Sequence, residues 1–160
     1  MSVSVQLADF DAGVEIATLR AGNAAVGAVA CFVGTVRDLA DGSLQTLTLE
    51  HYPGMTEAAL DAIVAEARER FDVLGVRVIH RFGELRPLDQ IVLVVVTSAH
   101  RGEAFAACEF LMDYLKTRAP FWKKEAGASG ERWVDATVKD DEAAERWSAS
   151  AASKGPQPEK

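Results

Sequence analysis

The sequence predicts an α+β fold with a largely antiparallel sheet packed by helices, for three reasons. Residues 26–36 and 91–97 are nearly continuous runs of β-branched and small apolar residues, which is typical of buried strands. Residues 44–52 and 76–82 alternate apolar with polar side chains, as strands with one buried face do. Two amphipathic helices are predicted among these strands. Because the strands come in consecutive pairs, a doubly wound nucleotide-binding fold is not expected.

The first two strands are expected to form a hairpin. Residues 26–36 end at a charged pair, and Asp41-Gly42 supplies a turn signal before residues 44–52. Pro53-Gly54 then breaks the chain, and the hydroxyl of Thr56 is expected to cap a helix that begins at Glu57. The apolar residues of this helix recur three or four positions apart, at Leu60, Ile63, Val64, Ala67 and Phe71.

The second half of the chain repeats this pattern of strands followed by a helix. Residues 91–97 are the most apolar segment and are expected to form the central strand. A helix over residues 103–118 ends before Pro120, and its predicted buried side comprises Phe105, Cys108, Leu111, Met112 and Leu115. Short extended pieces at 121–123 and 132–138 and a short helix near 141–147 complete the prediction.

Length and composition indicate one folded domain. The chain has 160 residues, of which 49% are hydrophobic and 26% charged, enough apolar material for a substantial core. We assign the domain to residues 1–147 and expect residues 148–160, which lack large apolar anchors, to form a disordered tail. The N-terminus lacks signal-peptide features and no apolar run has membrane-spanning length, so a cytoplasmic location is expected.

Charge and motif content exclude several classes of function. A net charge of −7 argues against nucleic-acid wrapping or adhesion to anionic membranes, although a small anionic substrate could still occupy a basic pocket. Cys31 and Cys108 lie far apart in apolar stretches, so both are expected to be core residues and not disulfide partners or nucleophiles. The histidines are isolated in the sequence and no metal-binding or phosphate-loop motif occurs, so no bound metal is expected.

The segment 114–124 stands out because it carries four cations and no acid within an acidic chain. These cations are Lys116, Arg118, Lys123 and Lys124. One explanation is a cationic last helical turn that complements the helix dipole, followed by solvated lysines. The other is that Lys116 and Lys123 are partly desolvated and act as a nucleophile or an acid/base at neutral pH.

Three residues outside this segment point to an anion site. Arg37 ends the first buried strand, and His100-Arg101 lies between the expected central strand and the following helix. Amide groups at the start of a helix favour a bound anion. Arginine, histidine and helix amides together therefore predict a site for a phosphate group.

Five blocks of the sequence resemble the large, catalytic subunit of molybdopterin synthase, the MoaE family. The blocks are residues 32–37, 47–56, 79–85, 97–101 and 112–125, and the last two together are highly specific. The resemblance covers about residues 24–147. It implies an α/β hammerhead fold and a homodimer that becomes a heterotetramer when each protomer binds one small ubiquitin-like sulfur-carrier subunit.

The activity that the resemblance implies is a sulfur transfer. The C-terminal Gly-Gly tail of the carrier, ending in a thiocarboxylate, would enter a pocket and deliver sulfur to cyclic pyranopterin monophosphate. Two such transfers would make the dithiolene of molybdopterin, a step of molybdenum cofactor biosynthesis. The resemblance implies no metal and no organic cofactor in the enzyme itself.

The resemblance also implies roles for individual residues. Lys116 and Lys123 match the family's catalytic lysines, which also contact the substrate. Further substrate-binding positions are matched by Arg37, His100, Arg101, Lys124 and Glu125. The His-Arg pair is expected to reach the pocket of the neighbouring subunit.

A second hypothesis belongs to a different class of function. In it, the chain is a catalytically inert homodimer that binds a phosphorylated metabolite or a peptide tail through the same cations. The paired lysines favour the enzyme, because simple anion binding more often uses the bidentate guanidinium group of arginine.

Overall fold

The computed structural model describes residues 2–134 and 138–152, which form two mostly antiparallel sheets and four helices. The strands are β1 (Val3–Gln6), β2 (Ala28–Thr35), β3 (Leu44–His51), β4 (Gly75–Arg81), β5 (Gly83–Leu85), β6 (Gln90–Ser98), β7 (Phe121–Gly127) and β8 (Gly130–Val134). The helices are α1 (Ala12–Arg20), α2 (Met55–Arg70), α3 (Arg101–Arg118) and α4 (Val138–Ala152). The predicted α+β class is confirmed, with two sheets where the sequence suggested one.

The first sheet has the strand order β1-β4-β6-β2 and packs against helices on both faces. β1 lies parallel to β4, whereas β4 with β6 and β6 with β2 are antiparallel. Buried residues of α2 and α3 pack on one face, and Ile16 and Leu19 of α1 pack on the other, against Ile79, Leu93 and Val95. Cover on both faces explains why β6 is so apolar, and its predicted interior position is confirmed.

The second sheet has the order β5-β3-β7-β8, and all its pairs are antiparallel. Its smaller core comprises Leu44, Leu47, Leu49, Leu85 and Val36. Side chains of a strand alternate between its two faces, so Phe121 and Lys123 of β7 share one face and Trp122 and Lys124 the other. The ring of Phe121 stacks on the imidazole of His80 from β4, which joins the two sheets.

The predicted hairpin between residues 26–36 and 44–52 is wrong. β2 pairs with β6, and β3 pairs with β5 and β7, so the two strands belong to different sheets. The connection is longer than a two-residue hairpin turn, and the carboxylate of Asp38 orders it by accepting the amides of Leu39 and Leu44 at 2.7 and 3.1 Å. Arg37 therefore lies where the chain passes from one sheet to the other.

The predicted cap of α2 is also wrong. The helix begins at Met55 after Gly54, whose φ of 84° is accessible to glycine, and Glu57 accepts the Gly54 amide at 2.6 Å. Thr56 is instead fully buried. Its hydroxyl accepts the amide of Tyr52 and donates to the carbonyl of Pro120, both at 3.1 Å. Thr56 thus ties the start of α2 to the residue that precedes β7.

Two predictions of burial are wrong. Phe105 is 67% exposed, because the buried side of α3 passes through Ala104, Ala107 and Cys108 and leaves residue 105 at its margin. Cys31 is exposed, because β2 is the edge strand of its sheet and Ala30 is its one buried residue, so β2 is not the buried strand that its apolar run predicts. Burial of Cys108 is confirmed.

The structure contains three elements that the sequence patterns do not predict. β1 and α1 precede the first predicted strand, and Asp11 caps α1 by accepting the amide of Val14 at 3.0 Å. The short strand β5 is a third addition, paired with β3. These segments are too short, or too weakly periodic, for the patterns to detect.

The C-terminal helix is longer than predicted. α4 continues to Ala152, so residues 148–152 of the expected disordered tail are helical. Contacts with α2 and α3 hold it: the indole of Trp147 donates to Asp113 at 2.7 Å, and Arg70 donates to the carbonyl of Trp147 at 3.1 Å. The predicted strand 132–138 extends too far, because its last residue begins α4. Residues 135–137 and residues 153–160 lie outside the described residues. Within the described ranges, no helix is long and apolar enough to cross a membrane.

We predict that Thr56→Ala lowers the free energy of unfolding by about 1–3 kcal/mol, because it removes a buried hydroxyl that pairs with the amide of Tyr52 and the carbonyl of Pro120. Urea unfolding measures this loss. Thr56→Ser is the matched control, since it keeps the hydroxyl, and should retain most of the stability. Equal stability of Thr56→Ala and the wild type would show that the link between α2 and β7 is unimportant.

Candidate active site

A cleft of about 1080 Å³ opens between the first sheet, the last turn of α3 and strand β7. We call it the cationic cleft, because the positively charged residues of its lining are Arg37, Lys116 and Lys123. Its volume is that of a site for a small-molecule ligand. The fold thus brings together three residues that the sequence predicts to act together.

Each cation reaches the cationic cleft from a different element. Arg37 follows β2, and Lys116 lies in the last turn of α3, next to the buried Leu115. Lys123 lies on the face of β7 that also carries Phe121. Lys116 is exposed and Lys123 half-buried, so the expected partial desolvation holds only for Lys123.

The remaining wall of the cationic cleft is largely apolar. It includes Ile91, Val92, Leu115, Ala119 and Phe121. Cations beside an apolar wall suit a ligand with a flat ring and an anionic group.

His80 forms a buried part of the cleft lining, with 4% of its surface exposed. Its ring stacks on Phe121 with centroids 3.7 Å apart and an angle of 18° between the planes. Its Nδ1 lies 2.8 Å from the carbonyl oxygen of Arg81. A carbonyl oxygen only accepts, so Nδ1 carries a hydrogen and donates it.

The imidazole of His80 is held in the neutral form. Burial lowers its pKa from 6.5 to about 3, and the nearby charges of Lys123 and Lys116 act in the same direction. In a neutral ring with hydrogen on Nδ1, the other nitrogen, Nε2, carries a lone pair and can only accept. His80 therefore offers the cleft a buried, uncharged acceptor.

His100 and Arg101 lie at the opposite end of α3 from Lys116. His100 is the N-cap and Arg101 the first residue, and both are exposed. A rise of 1.5 Å per residue puts Arg101 about 22 Å along the helix from Lys116. One copy of the chain therefore does not bring the His-Arg pair to its own cationic cleft.

Lys124 and Glu125 also lie outside the lining of the cationic cleft. The Nζ atom of Lys124 is 3.6 Å from the Glu131 carboxylate and 5.5 Å from the centre of the Trp133 ring, on the other face of the sheet from Lys123. The carboxylate of Glu125 pairs with Arg132 at 3.1 Å. Their contact with substrate stays a prediction.

Sequence reasoning missed the role of His80. Its isolation from the other histidines in the sequence hides a spatial cluster, since His51 and His80 both contact Phe121. One feature of the sequence could have identified His80: it follows Val76 and Val78 at the alternating, inward positions of a buried strand, where a polar residue is unusual.

Among residues 2–134 and 138–152, no group of three or more His, Cys, Asp or Glu could hold a metal ion.

An α+β scaffold that gathers two lysines, an arginine and a neutral acceptor around one cleft has the features of an enzyme acting on a small anionic substrate. The family model described as MoaE protein matches residues 5–118. The chain belongs to this family. The resemblance read from the sequence is confirmed.

Individual relatives agree with this assignment. A "Molybdopterin synthase catalytic subunit" from Ralstonia nicotianae is 64% identical over 147 residues, which are 91% of this chain and 84% of the relative. The structure of the "Molybdopterin biosynthesis MoaE protein" from Burkholderia ambifaria has a TM-score of 0.80 and 57% identity, covering 92% of this chain and 97% of that chain. The names of these relatives confirm the expectation that the family consists of enzymes of molybdopterin synthesis.

A more distant structure shares the fold. It is the "Protein-protein complex of subunit 1 and 2 of Molybdopterin-converting factor" from Helicobacter pylori, with a TM-score of 0.68 at 19% identity. The match covers 84% of this chain and 89% of that chain. The two-sheet architecture is thus retained where little sequence identity remains.

We predict that His80 makes folding depend on pH. Its pKa is about 3 in the folded chain, against an ordinary value of 6.5 for a solvated histidine. Between these two pH values His80 is protonated in the unfolded chain and neutral in the folded chain. The free energy of unfolding therefore falls as pH drops below 6.5. Between pH 7 and pH 5 the loss from this group is about 2 kcal/mol.

Urea unfolding at both pH values measures this loss. His80→Gln is the control because glutamine does not titrate, and its stability should fall by about 2 kcal/mol less than that of the wild type. An equal fall in the two proteins would show that His80 is not held neutral.

Proposed function

We propose that the chain transfers two sulfur atoms from the C-terminal thiocarboxylate of a small carrier subunit to cyclic pyranopterin monophosphate. The observation that carries this proposal is the convergence of Arg37, Lys116 and Lys123 on one partly apolar cleft. The substrate is a phosphate ester and the sulfur donor is an anion, so both require cations. The apolar wall suits the ring system of the substrate.

Lys116 and Lys123 are the catalytic residues in this proposal. In each transfer the thiocarboxylate sulfur forms a bond to a substrate carbon, and the oxygen that it displaces leaves with a proton. Water then hydrolyses the resulting thioester, which breaks the bond between the sulfur and the carrier and leaves the carrier's C-terminus as a carboxylate. An ammonium group beside the reacting carbon can supply that proton and stabilise the negative charge that develops. Arg37 binds the phosphate, for which its planar guanidinium is well suited.

We further propose that two copies of the chain form the functional unit. β2 is an edge strand of eight residues whose Val29 and Phe32 are 37% and 40% exposed, and Phe105 lies exposed on α3. A long apolar edge strand favours pairing with another chain. In such a dimer, His100 and Arg101 of one copy supply the cleft of the other, which accounts for their distance from Lys116 in a single copy.

The carrier subunit is the other partner in the proposal. The Helicobacter pylori structure of the same fold is itself a complex of two subunits, which supports a partner of this kind. We expect two carriers on each dimer, with each tail ending in a cationic cleft, and the whole assembly in the cytoplasm.

We predict that Lys116→Ala and Lys123→Ala each reduce product formation by at least about a hundredfold, the usual cost of removing a proton donor or a charge-stabilising group. Single-turnover reactions with thiocarboxylated carrier and substrate measure this. Arg20→Ala is the control, because it removes a cation from exposed α1, on the other face of the first sheet. Wild-type rates for Lys116→Ala would contradict its catalytic role.

We predict that mixed dimers of two weak variants regain activity. In a dimer of Lys116→Ala with Arg101→Ala, one cleft carries both changes and the other carries neither, because the two residues come from different copies. Random exchange between the variants should therefore give about a quarter of wild-type activity. Co-refolding of equal amounts followed by an activity assay tests this, and a mixture no more active than its components would contradict the shared site.

A further inference from the structure

The cationic cleft contains a recognition group that is distinct from its cations. Lysine and arginine side chains only donate hydrogen bonds, so Arg37, Lys116 and Lys123 can recognise an anion but cannot receive an N–H group. The other side-chain acceptors of the lining, Thr35 and Asp38, are exposed. Asp38 already accepts two backbone amides. His80 is the buried acceptor of the lining.

The position of His80 is fixed on two sides. Its ring stacks on Phe121 at 3.7 Å, and Nδ1 is committed to the carbonyl of Arg81 at 2.8 Å. A flip of the ring would break the bond to Arg81, so Nε2 is the polar atom that remains for a bound molecule. Within the described residues, no side chain or backbone group is hydrogen-bonded to Nε2.

The chemistry of the cleft indicates what Nε2 receives. In the proposed function the cations bind the phosphate of the substrate, and the adjoining apolar wall packs against its ring system. A pterin ring carries N–H groups on its edge, and burying them without an acceptor costs binding free energy. His80 lines the same cleft as Lys116 and Lys123, so one small molecule can reach both the cations and the imidazole.

We propose that Nε2 of His80 accepts a hydrogen bond from a ring N–H of the substrate and thereby selects a pterin over other phosphate esters. This inference rests on the proposed function. It adds to it a specificity-determining residue that acts on the heterocycle, whereas the cations act on the phosphate. Because the imidazole is neutral, it recognises the N–H without adding to the positive charge of the cleft.

Two substitutions separate this role from a structural one. Asparagine places its side-chain amide near the position of Nδ1, so His80→Asn keeps the bond to Arg81 and loses the acceptor at Nε2. Glutamine places its amide near Nε2, so His80→Gln keeps an acceptor there and loses the bond to Arg81. If Nε2 contacts the substrate, His80→Gln should retain substrate affinity and His80→Asn should lose it. If His80 is only structural, His80→Asn should retain the affinity and His80→Gln should lose it.

The experiment is calorimetric titration of the three proteins with cyclic pyranopterin monophosphate and, separately, with inorganic phosphate. We expect His80→Asn to bind the substrate about tenfold more weakly than the wild type, the effect of one unpaired hydrogen-bonding group. His80→Gln should stay within about threefold of the wild type, and the three proteins should bind inorganic phosphate equally.

Several results would overturn the inference. Wild-type affinity of His80→Asn for the substrate refutes it, as does an equal loss in His80→Gln. Weaker binding of the carrier's tail peptide to His80→Asn, with unchanged substrate affinity, assigns Nε2 to the tail instead. Failure of the wild type to bind the substrate at all refutes the proposed function, which is a different outcome.

A measurement on the wild type covers the case in which the variants do not fold. In protein labelled with ¹⁵N-histidine, the Nε2 resonance of His80 should move when the substrate binds, because its lone pair becomes hydrogen-bonded. Inorganic phosphate should leave that resonance in place. No movement with saturating substrate would refute the contact.

Discussion

The stack of His80 on Phe121 is the contact on which the cationic cleft depends. His80 belongs to β4 of the first sheet and Phe121 to β7 of the second, so their rings join the two sheets at 3.7 Å. The stack also sets which face of β7 meets the first sheet. Because side chains alternate along a strand, Lys123 then shares that face and Lys124 lies on the other. The hydrogen bond from Thr56 to the carbonyl of Pro120 holds the start of the same segment.

Burial and charge act together at this junction. The cleft collects three cations and one carboxylate, that of Asp38, in a chain whose net charge is −7, so most of the acidity lies elsewhere in the protein. A protonated imidazole among these cations would be strongly disfavoured, and burial alone already keeps His80 neutral. The site therefore combines a positive part for anions with a neutral acceptor, a combination that a uniformly basic patch does not offer.

The sequence was sufficient for much of the fold and for the lysines. The continuous apolar run of residues 91–97 identifies β6, and the stripe from Leu60 to Ala67 identifies α2, because burial dictates these patterns directly. The run of residues 26–36 also identifies a strand, β2, although Ala30 is its one buried residue. Strand pairing is different. The hairpin prediction failed because a turn signal at Asp41-Gly42 is local, whereas the partner of β2 is decided by β6, more than fifty residues away. The part of the site that could be predicted consists of residues whose charge alone indicates their chemistry.

Lys116, Lys123 and Arg37 were found from a local excess of charge and from family resemblance, and the fold brings them together. His80 carries no such signal, since its role arises from tertiary contacts with Phe121 and Arg81. The distance of His100 from Lys116 likewise follows from the length of α3, which no motif encodes.

The most direct test of the proposed site is a crystal structure of the chain with cyclic pyranopterin monophosphate bound. We expect the substrate in the cationic cleft, with its phosphate on the cations and a ring N–H on Nε2 of His80. A substrate bound elsewhere, for example in the smaller cavity of about 440 Å³ beside α1, would contradict this assignment.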